Sequence, residues 1–341
     1  MGKRQDNPLP GLVVVDKPSG PTSHDVVARV RRLAATRKVG HAGTLDPMAT
    51  GVLVLGVGKA TKLLTWVTGH SKTYEATIRL GVATTTDDAE GEVLNARGCP
   101  ELPPQRLEEA IGRLRGDILQ VPSTVSAIKV DGKRAYALAR EGADVVLEAR
   151  PVSIHRFDVL AAPRILDLDV EDGGQNRRIR AVDVDVVVDC SSGTYIRALA
   201  RDLGEDLGCG AHLTALRRTR VGDFGLGDAL TLDQLEHRSL PPLERGAEPA
   251  PEHVGVSRIP LIPLGEAATA MFPALHLTAD EASRFAHGQA PRRTREQIDA
   301  ARADRPDATR FAVIAPDGAV MGIVEAQGQR VKTLLVFEGG R

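Results

Sequence analysis

One histidine and one aspartate stand just ahead of a long apolar run in the segment GHAGTLDPMATGVLVLGVGKATK, residues 40–62. Asp46 precedes Pro47, and an Asp-Pro pair commonly forms a turn in which the carboxylate accepts a hydrogen bond from a nearby backbone N–H. A carboxylate in this position could also be a catalyst. His41 is equally ambiguous, because one loop histidine is not a metal site. These two residues alone leave both interpretations open.

The end of the same segment, residues 56–61 (GVGKAT), has the composition of a phosphate-binding loop but not its spacing. That loop needs a glycine five residues before its second glycine, and a Ser or Thr directly after the lysine. Leu53 and Ala60 stand at these two positions. The pattern therefore argues against a nucleoside triphosphatase and predicts a turn that ends a strand.

Composition sets the class of protein. A chain of 341 residues with 42% apolar residues predicts about two globular domains. The net charge of −1 means that any nucleic-acid footprint must be local. Cys99, Cys190 and Cys209 form no CxxC pair, which argues against a disulfide framework or a zinc site and suits a reducing cytoplasm. We find no secretion signal or membrane-spanning run, so we expect a cytoplasmic protein.

Apolar periodicity predicts mixed α and β structure. Ser23 is expected to cap the first helix. Valines alternating with aspartates over 182–189 predict a half-exposed strand. Residues 164–180 and 293–307 are expected to be polar loops or insertions. The other predicted strands lie at 11–16, 51–57 and 73–80, the helices at 26–33, 107–114 and 196–207, and a polar turn at 84–91.

The last part of the chain reads as a separate small module. Residues 241–263 are rich in Pro and Glu and predict a linker. Thr278 and Glu281 form a capping-box pattern at the start of a short helix. Three short strands follow, at 310–315, 320–326 and 331–337, with a first hairpin turn at 315–318.

Six motifs follow one another along residues 11–225 almost continuously. They are DKPSGPTSHD, VGHAGTLDPMATGVL, KTYEATIRLG with TTTDDAEG, QVPSTVSAIKVDGKRAYALAREG, EARP and CSSGTYIRALARDLGEDLGCGAHLTALRRT. Taken together and in this order, they resemble the TruB family of tRNA pseudouridine synthases. The tail resembles the family's PUA-type RNA-binding module.

The resemblance implies a fold and a domain division. We expect an α/β (α+β) pseudouridine-synthase fold, in which helices flank a large mixed, mostly antiparallel sheet, and a C-terminal PUA-like β domain. The corresponding boundaries are 1–237 for the catalytic domain, 238–263 for the linker and 264–341 for the RNA-binding domain. The implied activity is conversion of uridine 55 in the T-loop of tRNA to pseudouridine, which requires neither a cofactor nor a metal.

The resemblance also assigns roles to residues of this sequence. Asp46 is the expected catalytic carboxylate, and Arg197 is expected to pair with it and keep it ionised. Tyr74 would lie against the flipped uracil and help to remove the C5 proton. The expected substrate contacts are His41, Tyr74, Tyr195 and Leu216 at the base and its gap in the stack, and Lys17, Lys129, Arg217 and Arg218 at phosphates.

The expected partner is the T-stem-loop of tRNA, bound by a monomer away from any membrane. A non-enzymatic tRNA-binding or folding chaperone, with Asp46 merely structural, is the alternative function. The joint presence of Asp46, Tyr74 and Arg197 argues against it, because pure binding does not need a carboxylate that faces a polyanion.

Overall fold

The computed structural model describes residues 9–123, 129–130, 133–134, 147–240, 257–302, 304–328 and 330–337. The helices of this part of the chain are α1 (Ser23–Leu33), α2 (Leu64–Gly69), α3 (Pro104–Arg113), α4 (Ile196–Asp206), α5 (Leu232–His237), α6 (Leu264–Met271), α7 (Ala279–Ala286) and α8 (Arg295–Ala301). The strands are β1 (Gly11–Lys17), β2 (Val39–Ala42), β3 (Thr50–Val57), β4 (Lys72–Leu80), β5 (Ala83–Thr84), β6 (Val93–Asn95), β7 (Gly116–Gln120), β8 (Lys129–Val130), β9 (Lys133–Arg134), β10 (Arg150–Val159), β11 (Arg164–Asp172), β12 (Gln175–Cys190), β13 (Ala211–Val221), β14 (Phe224–Gly225), β15 (Leu230–Thr231), β16 (Ile262–Pro263), β17 (Ala274–His276), β18 (Arg310–Ile314), β19 (Val320–Gln327) and β20 (Arg330–Val336).

One large sheet organises the described residues from Leu9 to Pro263. Its main strand order is β15-β1-β3-β13-β4-β12-β10-β7. The β1–β15 and β3–β13 pairs are parallel, whereas the other pairs along this order are antiparallel. The expected mixed, mostly antiparallel sheet is therefore confirmed.

The strand β3 lies between β1 and β13 in this sheet, and it is apolar at nearly every position. Leu53 and Leu55 face one core cluster, and Val52 and Val54 face another. All four side chains are fully buried. The first cluster includes side chains of α1, α3 and α4, and the second includes side chains of α2 and the C-terminal module, so the sheet is covered on both faces.

The valines of β12 belong to the first core cluster, as their alternation predicts. The intervening acids are less exposed than expected, since residues of the neighbouring strands pair with them. Asp183 accepts hydrogen bonds from the Arg79 Nε and Nη2 at 2.7 and 2.8 Å and is buried. Asp185 pairs with Arg164 and accepts a bond from Thr77. The expectation of a half-exposed strand is wrong at Asp183, where an ion pair covers the polar face.

Two segments expected to be polar loops are regular structure. Residues 164–180 form a long antiparallel hairpin of β11 and the start of β12. Its turn is Gly173-Gly174, and both glycines have positive φ, as the type I′ hairpin turn requires. Residues 293–307 contain α8, which Thr294 caps and Ile298 anchors in the core. Charged side chains mask the apolar periodicity of both segments in the sequence, which is that of a strand in the first segment and that of a helix in the second.

The C-terminal module is a four-stranded sheet in the order β17-β18-β19-β20, with α7 and α8 packed on it. The predicted capping box of Thr278 and Glu281 and the three predicted strands are confirmed. The module also shares the second core cluster with the large sheet. Phe272, for example, packs edge-to-face against Trp66 of α2, with ring centroids 5.7 Å apart. Within the described residues, no helix has the length and hydropathy needed to cross a membrane.

Candidate active site

The loop that carries Asp46 connects β2 to β3 and is held from two directions. The Ser23 hydroxyl donates to the Leu45 carbonyl at 3.0 Å and accepts from the Leu45 N–H at 2.9 Å. The Gly20 N–H donates to the Pro47 carbonyl at 2.9 Å. Ser23 was expected to cap α1, but this expectation is wrong because its hydroxyl is engaged by the loop.

Thr22 caps α1 instead, in a capping box with Asp25. The Asp25 N–H donates to the Thr22 hydroxyl at 3.1 Å, and the Thr22 N–H donates to the Asp25 carboxylate at 2.9 Å. This arrangement leaves Ser23, the first residue of the helix, free to support the loop. The start of α1 therefore serves as an anchor for Asp46.

Lys17 lies beneath the same loop and is fully buried. Its Nζ donates to the carbonyls of Pro18, Pro21 and Pro47 at 2.8, 2.8 and 3.1 Å. Burial lowers the pKa of Lys17 to about 8, and the nearby Asp46 carboxylate opposes this shift. The expectation that Lys17 contacts a phosphate is wrong, because all three of its donor positions are used inside the protein.

Arg197 approaches Asp46 from the first turn of α4. Its Nε lies 3.0 Å from the Asp46 Oδ2, and its side chain is only 5% exposed whereas that of Asp46 is 36% exposed. The Arg197 Nη1 also donates to the Thr86 carbonyl at 2.8 Å and lies 3.4 Å from the Asp88 Oδ2. Arg197 thus bridges an accessible carboxylate and a buried one.

Asp88 is a member of this site that sequence reasoning missed. Its carboxylate is 5% exposed and accepts bonds from the Thr86 hydroxyl at 2.5 Å and the Glu90 N–H at 3.1 Å. The polar turn predicted for the segment TTTDDAEG is correct for most of its backbone. The available signal was a pair of acids with no nearby basic residue in sequence, which implies a cation from elsewhere in the chain.

Tyr74 and Arg218 face each other across β4 and β13, where the two residues are directly paired. Tyr74 is 7% exposed and Arg218 is 1% exposed. Burial raises the pKa of the Tyr74 hydroxyl, and the charge of Arg218 and its side-chain hydrogen bond to Tyr74 oppose that rise. The expectation that Arg218 contacts a phosphate is wrong, because the side chain is enclosed by the protein.

Gly43, in the turn before Asp46, packs directly on two buried cations. Its φ is +79°, and an added Cβ would lie 3.5 Å from the Lys72 Cε and 3.6 Å from the Arg218 Nη1. The Lys72 Nζ donates to the carbonyls of Thr68 and His70 at 2.9 and 2.7 Å, at the end of α2. Burial lowers the pKa of Lys72 to about 8. The left-handed backbone explains the glycine, because an added Cβ at these distances would make only ordinary van der Waals contacts.

His41 lies on β2, with its ring edge-to-face against that of His24 at a centroid distance of 5.5 Å. Burial lowers the pKa of His41, and His24 contributes to this shift. Its Nδ1 is buried and has no hydrogen-bond partner among the described residues. The neutral imidazole is therefore the favoured form of His41 in the folded protein.

The other predicted contacts lie at different depths. Leu216 is buried in β13, and Tyr195 is half-buried at the start of α4. Gln120, which sequence reasoning missed, donates to the Tyr195 carbonyl at 3.0 Å and accepts from its N–H at 2.8 Å.

Of the two remaining residues expected at phosphates, Arg217 pairs with Asp16, with its Nη2 2.7 Å from Oδ2. The side chain of Lys129 lies outside the described residues.

The chain matches family models over most of its length. Residues 31–196 match the TruB family pseudouridylate synthase (N terminal domain), and residues 197–245 match the tRNA pseudouridylate synthase B C-terminal domain. Residues 272–338 match the model described as tRNA Pseudouridine synthase II, C terminal.

Similar proteins agree with these models. The chain is 51% identical over 331 residues to tRNA pseudouridine synthase B of Arthrobacter sp. (strain FB24), covering 96% of this chain and 97% of the relative. It is 53% identical over 332 residues to tRNA pseudouridine synthase B of Mycolicibacterium paratuberculosis, with the same coverage.

Among solved structures, a Cbf5-Nop10-Gar1 complex matches the fold with a TM-score of 0.63 at 22% identity, covering 96% of this chain and 84% of that chain. The chain belongs to the TruB family of tRNA pseudouridine synthases.

Proposed function

We propose that this protein isomerises uridine 55 in the T-loop of tRNA to pseudouridine, with Asp46 as the catalytic carboxylate. The observation that carries this proposal is the pairing of Asp46 with Arg197 at 3.0 Å. The pairing leaves the carboxylate partly open to solvent while its cation is buried. A purely structural ion pair has no need of this one-sided exposure.

The reaction breaks the N1–C1′ bond of the uridine and forms a C5–C1′ bond, without oxidation or reduction. Asp46 either attacks C1′ as a nucleophile or abstracts the 2′ proton, and both routes begin from an ionised carboxylate. Arg197 provides a charge-assisted hydrogen bond that favours this form and fixes its direction. Leu45 and Pro47, which flank Asp46, are bonded to other parts of the chain, so the backbone there is preorganised.

Tyr74 accepts the proton that leaves C5 after the base has rejoined the sugar. Its hydroxyl lies close enough to the Asp46 carboxylate for the two charges to interact. Both groups can therefore reach one nucleotide. Tyr195 and Leu216 would line the pocket around the uracil edge and face.

The target base must leave the folded tRNA before it can reach Asp46, because it is stacked within the elbow. His41 would fill the vacated place in the stack. A neutral imidazole suits this role, since stacking needs a flat aromatic face and no charge. The packing of His24 against His41 supports the ring from behind.

Phosphate contacts remain a proposal for Arg217 and Lys129 only. Arg217 is partly exposed, and its pairing with Asp16 can be exchanged for a phosphate at the surface. We retain the division into a catalytic domain (1–237), a linker (238–263) and a PUA-like domain (264–341), and we propose that a monomer binds the T-stem-loop.

Tritium release from C5-labelled uridine tests the function. We expect the wild-type protein to release tritium from a T-stem-loop RNA and from full-length tRNA, and to release none when uridine 55 is replaced by cytidine. Binding of tRNA by a wild-type protein that releases no tritium would instead establish the binding or chaperone function. Release that persists without uridine 55 would show a different target position.

A further inference from the structure

Arg218 is the largest side chain that is completely buried in the described part of the chain. Its guanidinium donates to backbone carbonyls, from Nε to Val52 at 2.7 Å, from Nη1 to Thr44 at 3.3 Å and from Nη2 to Gly43 at 3.1 Å. No carboxylate of the described residues forms an ion pair with it. A buried charge without a counter-charge is costly and is retained where its position matters.

These contacts connect the two sides of the site. Gly43 and Thr44 belong to the turn that leads into Asp46, and Val52 belongs to the strand that follows it. The same guanidinium interacts with the Tyr74 hydroxyl. One rigid, planar group therefore joins the loop of the carboxylate to the hydroxyl on β4.

We propose that Arg218 is a positioning residue for the reaction, which holds the Asp46 loop against the Tyr74 hydroxyl and stabilises the ionised form of that hydroxyl. This inference rests on the proposed function. It replaces the expectation of a phosphate contact with an internal role, and it assigns the two adjacent arginines of β13 to different tasks.

The proton transfer shows why the charge matters. When the C5–H bond breaks, its electron pair restores the C5–C6 double bond of the uracil, and the proton moves to the Tyr74 oxygen. When the C5–C6 double bond is restored, the C6–N1 π electrons return to N1, which takes up a proton from solvent. Tyr74 must be ionised to accept the C5 proton, and then returns that proton to solvent.

The surroundings of Tyr74 otherwise oppose ionisation. Burial raises the pKa of its hydroxyl, and so do Cys190 and Asp46, whereas Arg218 lowers it. Lys72 lies nearby, with its charge directed to carbonyls at the end of α2. A base whose pKa moves towards the working pH gains more from the larger ionised fraction than it loses in basicity. Of the groups named in this paragraph, Arg218 is the one that lowers the pKa of the Tyr74 hydroxyl.

Two substitutions separate the charge of Arg218 from its shape. Arg218→Gln removes the charge, and Arg218→Lys keeps it but cannot reach all three carbonyls. Arg220→Lys is the matched control, because Arg220 lies on the same strand but bonds to Thr73 on the opposite face of the sheet. Each variant is compared with wild type in single-turnover tritium release at saturating tRNA, in equilibrium tRNA binding and in thermal unfolding.

We expect Arg218→Gln to slow tritium release about tenfold to a hundredfold. This range is the rate effect of losing one hydrogen bond to a charged group in the transition state. Arg218→Lys should fall between this variant and wild type, and Arg220→Lys should match wild type. Affinity for tRNA should change less than about twofold, which is small against the ionic contribution of even one phosphate contact. If Arg218→Gln does not fold, Arg218→Lys alone decides the test.

Replacing all tyrosines with 3-fluorotyrosine provides a readout that a purely structural role would not affect. The fluorinated hydroxyl is more acidic, so it should restore part of the rate lost in whichever Arg218 variant folds. A folded Arg218 variant with the wild-type rate, a loss of tRNA affinity in place of rate, or no response to fluorotyrosine would overturn the inference. Tritium release by the wild-type protein is the reference, and its absence would overturn the proposed function instead.

Discussion

Replacing Arg197 with methionine removes the cation that joins the two carboxylates of the site. The variant loses the 3.0 Å contact with Asp46, the 3.4 Å contact with Asp88 and the 2.8 Å hydrogen bond to the Thr86 carbonyl. Methionine keeps much of the side-chain volume, so the effect is electrostatic and directional. The two carboxylates should respond differently because only Asp88 is buried.

The effect on rate comes from Asp46. Its side chain is 36% exposed, so water screens the pair, and we take the low end of the range for a charge-assisted bond, about 1.5 kcal/mol or about tenfold. Loss of direction adds about a hundredfold, as misplacement by about 1 Å commonly does. The chemical step should therefore slow by about a thousandfold.

The effect on stability comes from Asp88, which becomes a buried carboxylate without its cation. Removal of one partner from a buried pair costs about 3–5 kcal/mol. Adding Asp88→Asn to Arg197→Met should recover most of that stability without recovering the rate, because the amide carries no charge. Denaturant unfolding and single-turnover tritium release measure the two effects separately. A double variant that regains the rate, or a single variant that loses tRNA affinity in place of rate, would refute the assignment of Arg197 to Asp46.

The remaining predictions concern Asp46, Phe272 and Lys72. Asp46→Asn should abolish tritium release while tRNA binding in a filter assay persists, and substantial residual turnover would exclude Asp46 as the catalyst. Phe272→Ala should lower the free energy of unfolding by about 3–5 kcal/mol through a cavity in the shared core, with single-turnover chemistry little changed at a temperature where the variant stays folded. Lys72 has a folded pKa of about 8 against 10.5 for the ordinary side chain, so the unfolded state binds more protons between these values. Stability should therefore rise with pH in this window, and Lys72→Met should remove about 3 kcal/mol of that rise.

The sequence motifs were sufficient to bring Asp46, Tyr74 and Arg197 into one hypothesis, and in the structure Arg197 contacts Asp46 while the Tyr74 hydroxyl lies within electrostatic reach of that carboxylate. The motifs could not show how deeply each side chain is buried. Lys17 and Arg218 carry the charge expected of a phosphate contact, yet both are enclosed, because burial depends on which strand lies alongside. Arg217 and Arg218 are adjacent and lie on opposite faces of β13, and only the register with β4 and β3 decides which one meets Tyr74.

The secondary structure could be predicted where apolar residues dominate. It was missed where charged residues that form ion pairs interrupt the apolar periodicity of the sequence. β3 and the helix α4 follow from apolar spacing alone. The β11–β12 hairpin was missed because acids of one strand stand near arginines of the other, as Asp172 does with Arg177. Such ion pairs neutralise the charged side chains on the polar face of a strand. A prediction made residue by residue does not include this pairing, so it assigns the charged segment to a loop.

The insertion of β13 between β3 and β4 determines when a newly made chain can complete its site. The Asp46 loop leads into β3 and Tyr74 lies on β4, so both are synthesised early, but the strand that joins their strands spans Ala211–Val221. Pairing over such sequence separation is slow, because a long loop must close first. A nascent chain that ends before Ala211 therefore carries both residues without the strand that lies between β3 and β4. Modification of tRNA can begin only after the ribosome has released nearly the whole of the large sheet.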